Sequence, residues 1–195
     1  MWNQRYAVEE YIYGTEPNSF LVDHAHVLSG LVLSLAEGEG RNAVYLASLG
    51  LRVHGVDGSA VGLAKAQALA HAKGVQITTQ VADLGTFEPE ADRYGSVISI
   101  SAHLPGAIRQ RLYPLVERAI KPGGFILLEA YSENQLGRDT GGPKDPDMLM
   151  TLVKIEREFT HCEPIVLREV EREVREGSCH TGLAAVVQFV GRKKA

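Results

Sequence analysis

Residues Leu31 to Asp57, LVLSLAEGEGRNAVYLASLGLRVHGVD, decide the fold. Leu31 to Ala36 is a short apolar run, as expected for a strand buried on both faces of a parallel sheet. It stops at Glu37-Gly38-Glu39-Gly40, where two glycines at alternate positions let the backbone turn sharply and admit a ligand without interference from a Cβ atom. The amide groups that open the next helix point outward from such a turn. That helix, Arg41 to Leu49, is closed by Gly50, and Leu51 to Val56 forms a second strand ending in Asp57. An acid 19 residues after Gly38 suits a ribose diol, so the unit predicts a site for a nucleotide-like cofactor.

The rest of the chain repeats this alternation. Ser59 caps a helix from Ala60 to Lys73 that ends at Gly74; Val75 to Val81 is a third strand, running into Ala82-Asp83-Leu84. Gly95 to Ser101 is a fourth strand, followed by His103 and a helix from Ala107 to Ala119. Lys121-Pro122-Gly123-Gly124 turns the chain into a fifth strand, Phe125 to Tyr131. Ser132 to Pro146 changes to Asn, Gly, Pro, Asp and Lys, a loop that emerges where the strands end and ligands bind. Asp147 to Phe159 is a helix, and Glu163 to Glu176 with Gly182 to Gly191 is a terminal strand pair turned at Gly177-Ser178. The expected class is α/β: a Rossmann-like, doubly wound, mostly parallel seven-stranded sheet with a C-terminal antiparallel hairpin.

With 195 residues and 45% hydrophobic content, a single domain over 1–195 is expected. Residues 1–20 carry Trp2, Tyr6, Tyr11, Tyr13 and Phe20, too aromatic for a disordered tail, and are expected to pack on the domain or cover its pocket. A formal net charge of -4 argues against nucleic acid held by bulk charge. Two cysteines without metal spacing, no long apolar run and no signal-peptide pattern make the expectation a cytoplasmic protein with no metal, no membrane and no nucleic-acid partner.

Gly38-x-Gly40-x-x-Ala43 with Asp57 also fits a dinucleotide fingerprint, so an NAD-type oxidoreductase is an alternative. The glutamates weigh against it. A pyrophosphate about 5 Å from Glu37 and Glu39 would be repelled by roughly 3 kcal/mol each at an effective dielectric of about 20. A sulfonium with an ammonium tolerates a negative loop, which favours S-adenosylmethionine (SAM).

With these motifs in order, the chain resembles class I SAM-dependent methyltransferases. Tyr13-Gly14-Thr15-Glu16-Pro17-Asn18, Ala36 to Ala43 and Thr140 to Asp145 look like a small-molecule branch labelled tellurite-resistance-like or thiopurine-methyltransferase-like. The resemblance implies that Gly38 and Gly40 pass beside methionine and ribose, Asp57 with Gly58 holds the ribose, Asp83 and Leu84 read the adenine edge, and Asn42, opening the helix, touches the cofactor or shapes the loop. Ser34 and Ala36 stand where the family carries an acid and its first glycine, so Glu37 is expected to hold the methionine ammonium instead. The implied function is methylation of a small acceptor, a thiol or chalcogen oxyanion first, with SAM binding without turnover as an alternative. His103 is the candidate base, and Tyr11, Tyr13, Arg138 and Lys144 are candidates for holding the acceptor.

Overall fold

The computed structural model describes residues 2–177 and 179–194. A short helix α1 (Trp2–Arg5) and α2 (Ser19–His24) precede β1 (Leu31–Leu35), α3 (Arg41–Ser48), β2 (Arg52–Asp57), α4 (Ala60–Ala72) and β3 (Thr78–Val81). There follow β4 (Tyr94–Ile100), α5 (Gly106–Ala119), β5 (Ile120–Tyr131), α6 (Leu152–Glu158), β6 (Cys162–Glu176) and β7 (His180–Lys193). The strands form one sheet in the order β3-β2-β1-β4-β5-β7-β6. The first five run parallel, and β7 inserts antiparallel between β5 and β6. The predicted class and strand count therefore hold.

Both faces of the sheet's centre are buried, as the apolar strands β1, β4 and β5 require, while the edge strands β3 and β6 are largely exposed. Val32, Val53, Ile98 and Leu127 face α2, α3 and α4, packing against Phe20, Leu21, Val44, Leu46, Ala66 and Leu69. Their neighbours Leu33, Val56, Val97 and Ile126 face the other way, onto Leu112, Tyr113, Val116, Ile155 and Phe159 of α5 and α6.

Three boundaries differ from expectation. The third strand begins only at Thr78, because the Val75 amide still bonds to the Ala70 carbonyl and completes the end of α4. The fifth begins at Ile120, upstream of the glycine pair, which the sheet accommodates by a register shift between Tyr94 and Ser96. The helix expected over 147–159 is split into a 3-10 turn (Pro146–Met148) and α6, because Thr151 caps a new start by accepting from the Lys154 amide while the Met150 amide bonds to Tyr131 O at 2.9 Å.

This topology brings the ends of β1, β2, β4 and β5 to one edge. The β6–β7 hairpin projects past the end of β5, where Tyr131 pairs with Val186, and its tip brings the His180 ring to 5.2 Å from that of Tyr131.

Candidate functional site

The glycine loop after β1 is built as the sequence indicates. Gly38 (φ 63°) and Gly40 (φ 97°) lie in the left-handed region, and a Cβ at Gly40 would come within 2.6 Å of Ala66 Cα, so the loop sits flush on α4. Ala36, in the position expected for a glycine, also takes a positive φ of 51°. Gly40 caps α3, and its carbonyl accepts from the Val44 amide at 2.9 Å.

Asp57, at the end of β2, ties this loop to the next one. Its Oδ2 accepts from the Gly38 amide at 2.9 Å and its Oδ1 from the Ser59 amide at 2.7 Å. Burial raises its carboxyl, and those two amides act in the opposite direction. Gly58 beside it is exposed. Asp83, past β3, is exposed and accepts from the Gly85 amide at 2.8 Å, while Leu84 is buried in the core. A cavity of about 380 Å³ opens on the far side of Asp83, lined among others by His54, Gln80, Arg93 and Tyr94; none of its lining residues belongs to the glycine loop.

The glutamates of the loop do not behave as a free negative pair. Glu39 makes an ion pair with Lys65 at 2.5 Å. Glu37 is turned inward: Ser34 Oγ donates to its Oε2, and its Oε1 accepts from the Ala43 amide at 3.0 Å, so it caps α3. Burial pushes the Glu37 carboxyl up to about 7, outweighing those two bonds and the nearby Arg41. The charge argument for a cationic cofactor is thus weaker than the sequence made it, and Glu37 presents a helix cap rather than an open carboxylate toward an ammonium group. Ser34 and Glu37 compensate one another, a pairing that three-residue spacing alone does not reveal.

The N-terminal segment packs against this edge. The Tyr6 ring lies between the loop and the start of α4: a Cβ on Gly38 would meet its hydroxyl at 2.8 Å and one on Gly62 its Cδ2 at 2.8 Å. From Tyr6 a row of rings crosses to the ends of β4 and β5. Tyr6 meets Tyr13 edge-on at 6.4 Å, Tyr13 meets His180 at 4.7 Å, His180 meets Tyr131 at 5.2 Å, and Tyr131 stacks on His103 at 5.2 Å.

Below this row lies a buried polar cluster. Asn18 donates to Glu129 at 2.7 Å and to Glu176 at 2.8 Å, and its own amide bonds to Asn42 Oδ1 at 3.0 Å. Arg41 pairs with Glu176 at 2.7 Å, Arg172 with Glu129 and Glu176, and Gln188 donates to Glu129 at 2.7 Å. Burial alone would raise the Glu176 carboxyl, yet His180, Arg41 and Arg172 together hold it well below the usual carboxylate range. Asn42 therefore fastens the N-terminal cover.

The remaining candidates separate. The His103 ring is buried, and its Nε2 accepts from the Tyr131 amide at 3.0 Å; burial and the neighbouring His180 push it down to about 3. In this arrangement the Nε2 lone pair that a base would use is taken up by the backbone. Tyr11 donates to Lys65 O at 3.1 Å under the Lys65 ammonium, on the α4 side and apart from the row of rings. Arg138 pairs with Glu171 on the hairpin, and Lys144 is exposed on the loop. Of the expected acceptor residues, the structure brings only Tyr13 and His103 together, and it adds Tyr131, Glu176 and His180. Their signal in the sequence was a histidine just past a hairpin turn.

Among the described residues no three His, Cys, Asp or Glu side chains are grouped to hold a metal ion, and no helix is long and apolar enough to cross a membrane.

The architecture is the Rossmann-like methyltransferase fold. Residues 32–124, the segment that holds the glycine loop, Asp57 and Asp83 and just under half of the chain, match the model of a family described as a methyltransferase domain. A 2-heptyl-1-hydroxyquinolin-4(1H)-one methyltransferase of Mycobacteroides abscessus is 27% identical over 117 residues, which are 58% of this chain and 52% of that protein. The match thus spans about half the length of that curated relative.

Solved structures align over nearly the whole chain. One, from work on converting a disulfide bond into a thioacetal group during echinomycin biosynthesis, has a TM-score of 0.77 at 19% identity, covering 99% of this chain and 91% of that one. TehB from Haemophilus influenzae has 0.73 at 19%, covering 99% and 66%. Phosphoethanolamine N-methyltransferase 2 of Haemonchus contortus, in complex with SAM, has 0.68 at 19%, covering 100% and 56%. The cofactor expected from the sequence, SAM, agrees with the matched domain and is the one bound in that last structure. The residues present fit it at the ribose end: Asp57 sets a buried carboxylate against the Gly38 backbone, and Gly38, which carries no side chain, lies under the Tyr6 ring.

Proposed function

We propose that the chain is a SAM-dependent methyltransferase acting on a small molecule. The observation that carries the reading is that Asp57 closes on the glycine loop through the Gly38 amide, in the segment that matches a methyltransferase domain. SAM supplies an already activated methyl group, so the protein's task is alignment. Gly38, Gly40, Asp57 and Gly58 would border the ribose and methionine, Asp83 and Leu84 the adenine edge, and Tyr6 would close the cradle from above.

For the acceptor, the ring row favours a planar molecule with a protonated heteroatom, a thiol or a hydroxyl. The M. abscessus relative is named for a hydroxyquinolone, which is of that kind. A chalcogen oxyanion, suggested by the likeness to tellurite-resistance and thiopurine methyltransferases, fits this edge less well, because Arg41 and Arg172 are neutralised by Glu176 and Glu129, and Arg138 by Glu171. SAM binding without turnover and an NAD-type oxidoreductase are the competing readings.

A radiolabelled methyl-transfer screen over arylthiols, phenols, chalcogen oxyanions, amines and carboxylates tests the proposal. Transfer to a thiol or phenol is the expected result. Binding of the SAM product S-adenosylhomocysteine with no transfer to any acceptor would favour the binding protein, and affinity for NADH instead would favour the oxidoreductase.

A further inference from the structure

We propose that His180, oriented by Glu176, is the general base that takes the proton from the methyl acceptor, which lies against the rings of Tyr13 and Tyr131. This rests on the methyltransferase reading above and adds the acceptor-side machinery to it.

Three observations bear on His180. It is one of the first residues of β7, and the antiparallel return of the hairpin places it opposite Glu176 in register, at the sheet edge where β4 and β5 end. It is 8% exposed, and its Nδ1 has no hydrogen-bond partner among the described residues although the atom is fully buried. A buried, unsatisfied imidazole nitrogen is costly, and function explains that cost better than folding does. Finally, Glu176 Oε2 stands 3.6 Å from that Nδ1, just beyond hydrogen-bond reach, and contacts of this kind tighten when a substrate binds.

The other ring nitrogen faces the loop over 132–146. A Cβ on Gly141 would come within 2.6 Å of His180 Cδ2 and 3.3 Å of its Nε2, and one on Gly142 within 2.6 Å of Tyr131 Cδ2. Both glycines have positive φ, 105° and 91°, so the pair lays bare backbone against the two rings. Gln135 fixes this loop by donating to Gly141 O at 3.1 Å, and Tyr131 by donating to Thr140 O at 3.1 Å. The loop expected to meet the substrate is thus the roof over His180 and Tyr131.

The charged and titratable groups facing His180 are Glu176 with its partners Arg41 and Arg172, the Tyr13 and Tyr131 hydroxyls, and His103. Burial keeps His103 neutral, with its Nε2 serving the Tyr131 amide, and among the described residues Glu176 is the carboxylate paired with the His180 imidazole. Glu176 would hold Nδ1–H and leave Nε2 as the acceptor of the proton. That proton leaves the thiol or hydroxyl for Nε2. The lone pair left on the heteroatom forms the new bond to the methyl carbon, whose bond to sulfur breaks with its electron pair remaining on sulfur; the imidazolium then returns its proton to water.

The test uses the full-length protein, with arylthiols and phenols of graded acidity as acceptors. Calorimetric binding of S-adenosylhomocysteine is read first, so that failure at the cofactor is separated from failure of the base. His180→Gln should bind that product within about threefold of wild type and lose on the order of 100-fold in kcat/KM for weakly acidic acceptors. The loss should shrink as pH rises past the acceptor's own ionisation, because a preformed anion needs no base. On the wild type, the acidic limb of the pH profile should stay at one pH across the acceptor series. A limb that tracks each acceptor's ionisation, or a His180→Gln variant within twofold of wild type at every pH, would overturn the proposal. Should the variant not fold, the wild-type series decides alone. Should no probe turn over, the same phenols titrated onto protein loaded with S-adenosylhomocysteine must bind, and more weakly by at least tenfold in His180→Gln; equal binding or none overturns the assignment.

Discussion

The two halves of the proposed site are made in different ways. The cofactor half, from Ala36 to Asp57, is local: its defining bond, Gly38 amide to Asp57, spans 19 residues, and its shape comes from backbone conformation. The acceptor half is assembled from four distant segments, with Asn18 reaching Glu129 and Glu176 across 111 and 158 residues. A local site survives as a motif in the sequence. A dispersed one exists only once the sheet and hairpin have formed.

That contrast predicts different responses to mutation. The largest effect should come from Gly40→Val, which combines a left-handed backbone with a Cβ 2.6 Å from Ala66 Cα. A loss of about 4 kcal/mol and a fall of about 10 °C in melting temperature are expected by calorimetry.

Next are two substitutions that should separate the halves. Asp57→Ala should weaken S-adenosylhomocysteine binding on the order of 100-fold, about 2.7 kcal/mol, with a smaller change in melting temperature. Asn18→Ala, which leaves Glu129 and Glu176 short of a buried donor, should instead cost about 2 kcal/mol of stability while product affinity changes by less than fivefold. If both variants lost binding and stability in parallel, the two halves would be one cooperative unit and the distinction would be broken.

Glu37 sharpens the comparison within the cofactor half. Its carboxyl is pushed from an ordinary 4.5 up to about 7, so the folded state keeps a proton that the unfolded chain releases, and its contribution to stability is lost as pH rises through that window. Glu37→Gln retains an oxygen to accept from the Ala43 amide and carries no charge. It should be more stable than wild type by about 1–3 kcal/mol at pH 8, converging with it near pH 4.5, in denaturant titrations at the two pH values. The smallest effect expected is from Ala36→Gly: relieving a left-handed alanine should stabilise by up to about 1 kcal/mol, read as a rise of a few degrees in melting temperature.

The fold was legible because the central strands β1, β4 and β5 are apolar runs, and turn residues such as Gly50, Gly74 and Lys121-Pro122-Gly123-Gly124 separate helices from the strands that follow. Asp57 and the glycines were legible for the same local reason. The behaviour of the glutamates was not, since the inward turn of Glu37 depends on Ser34 and on the amide of Ala43, and the neutralisation of Glu39 depends on Lys65 in the next helix. His103 was placed correctly at the end of β4, but its function as an acceptor for the Tyr131 amide follows from strand pairing that the sequence does not display. His180 was hidden most fully, because only the register of β6 with β7 sets it opposite Glu176.

The central claim is that the glycine loop and Asp57 form a SAM site. Isothermal titration of the wild-type protein with S-adenosylhomocysteine tests it most directly. The account predicts saturable one-to-one binding that SAM displaces. No heat of binding up to about millimolar ligand, affinity no better than about −4 kcal/mol, together with saturable binding of NADH would contradict it.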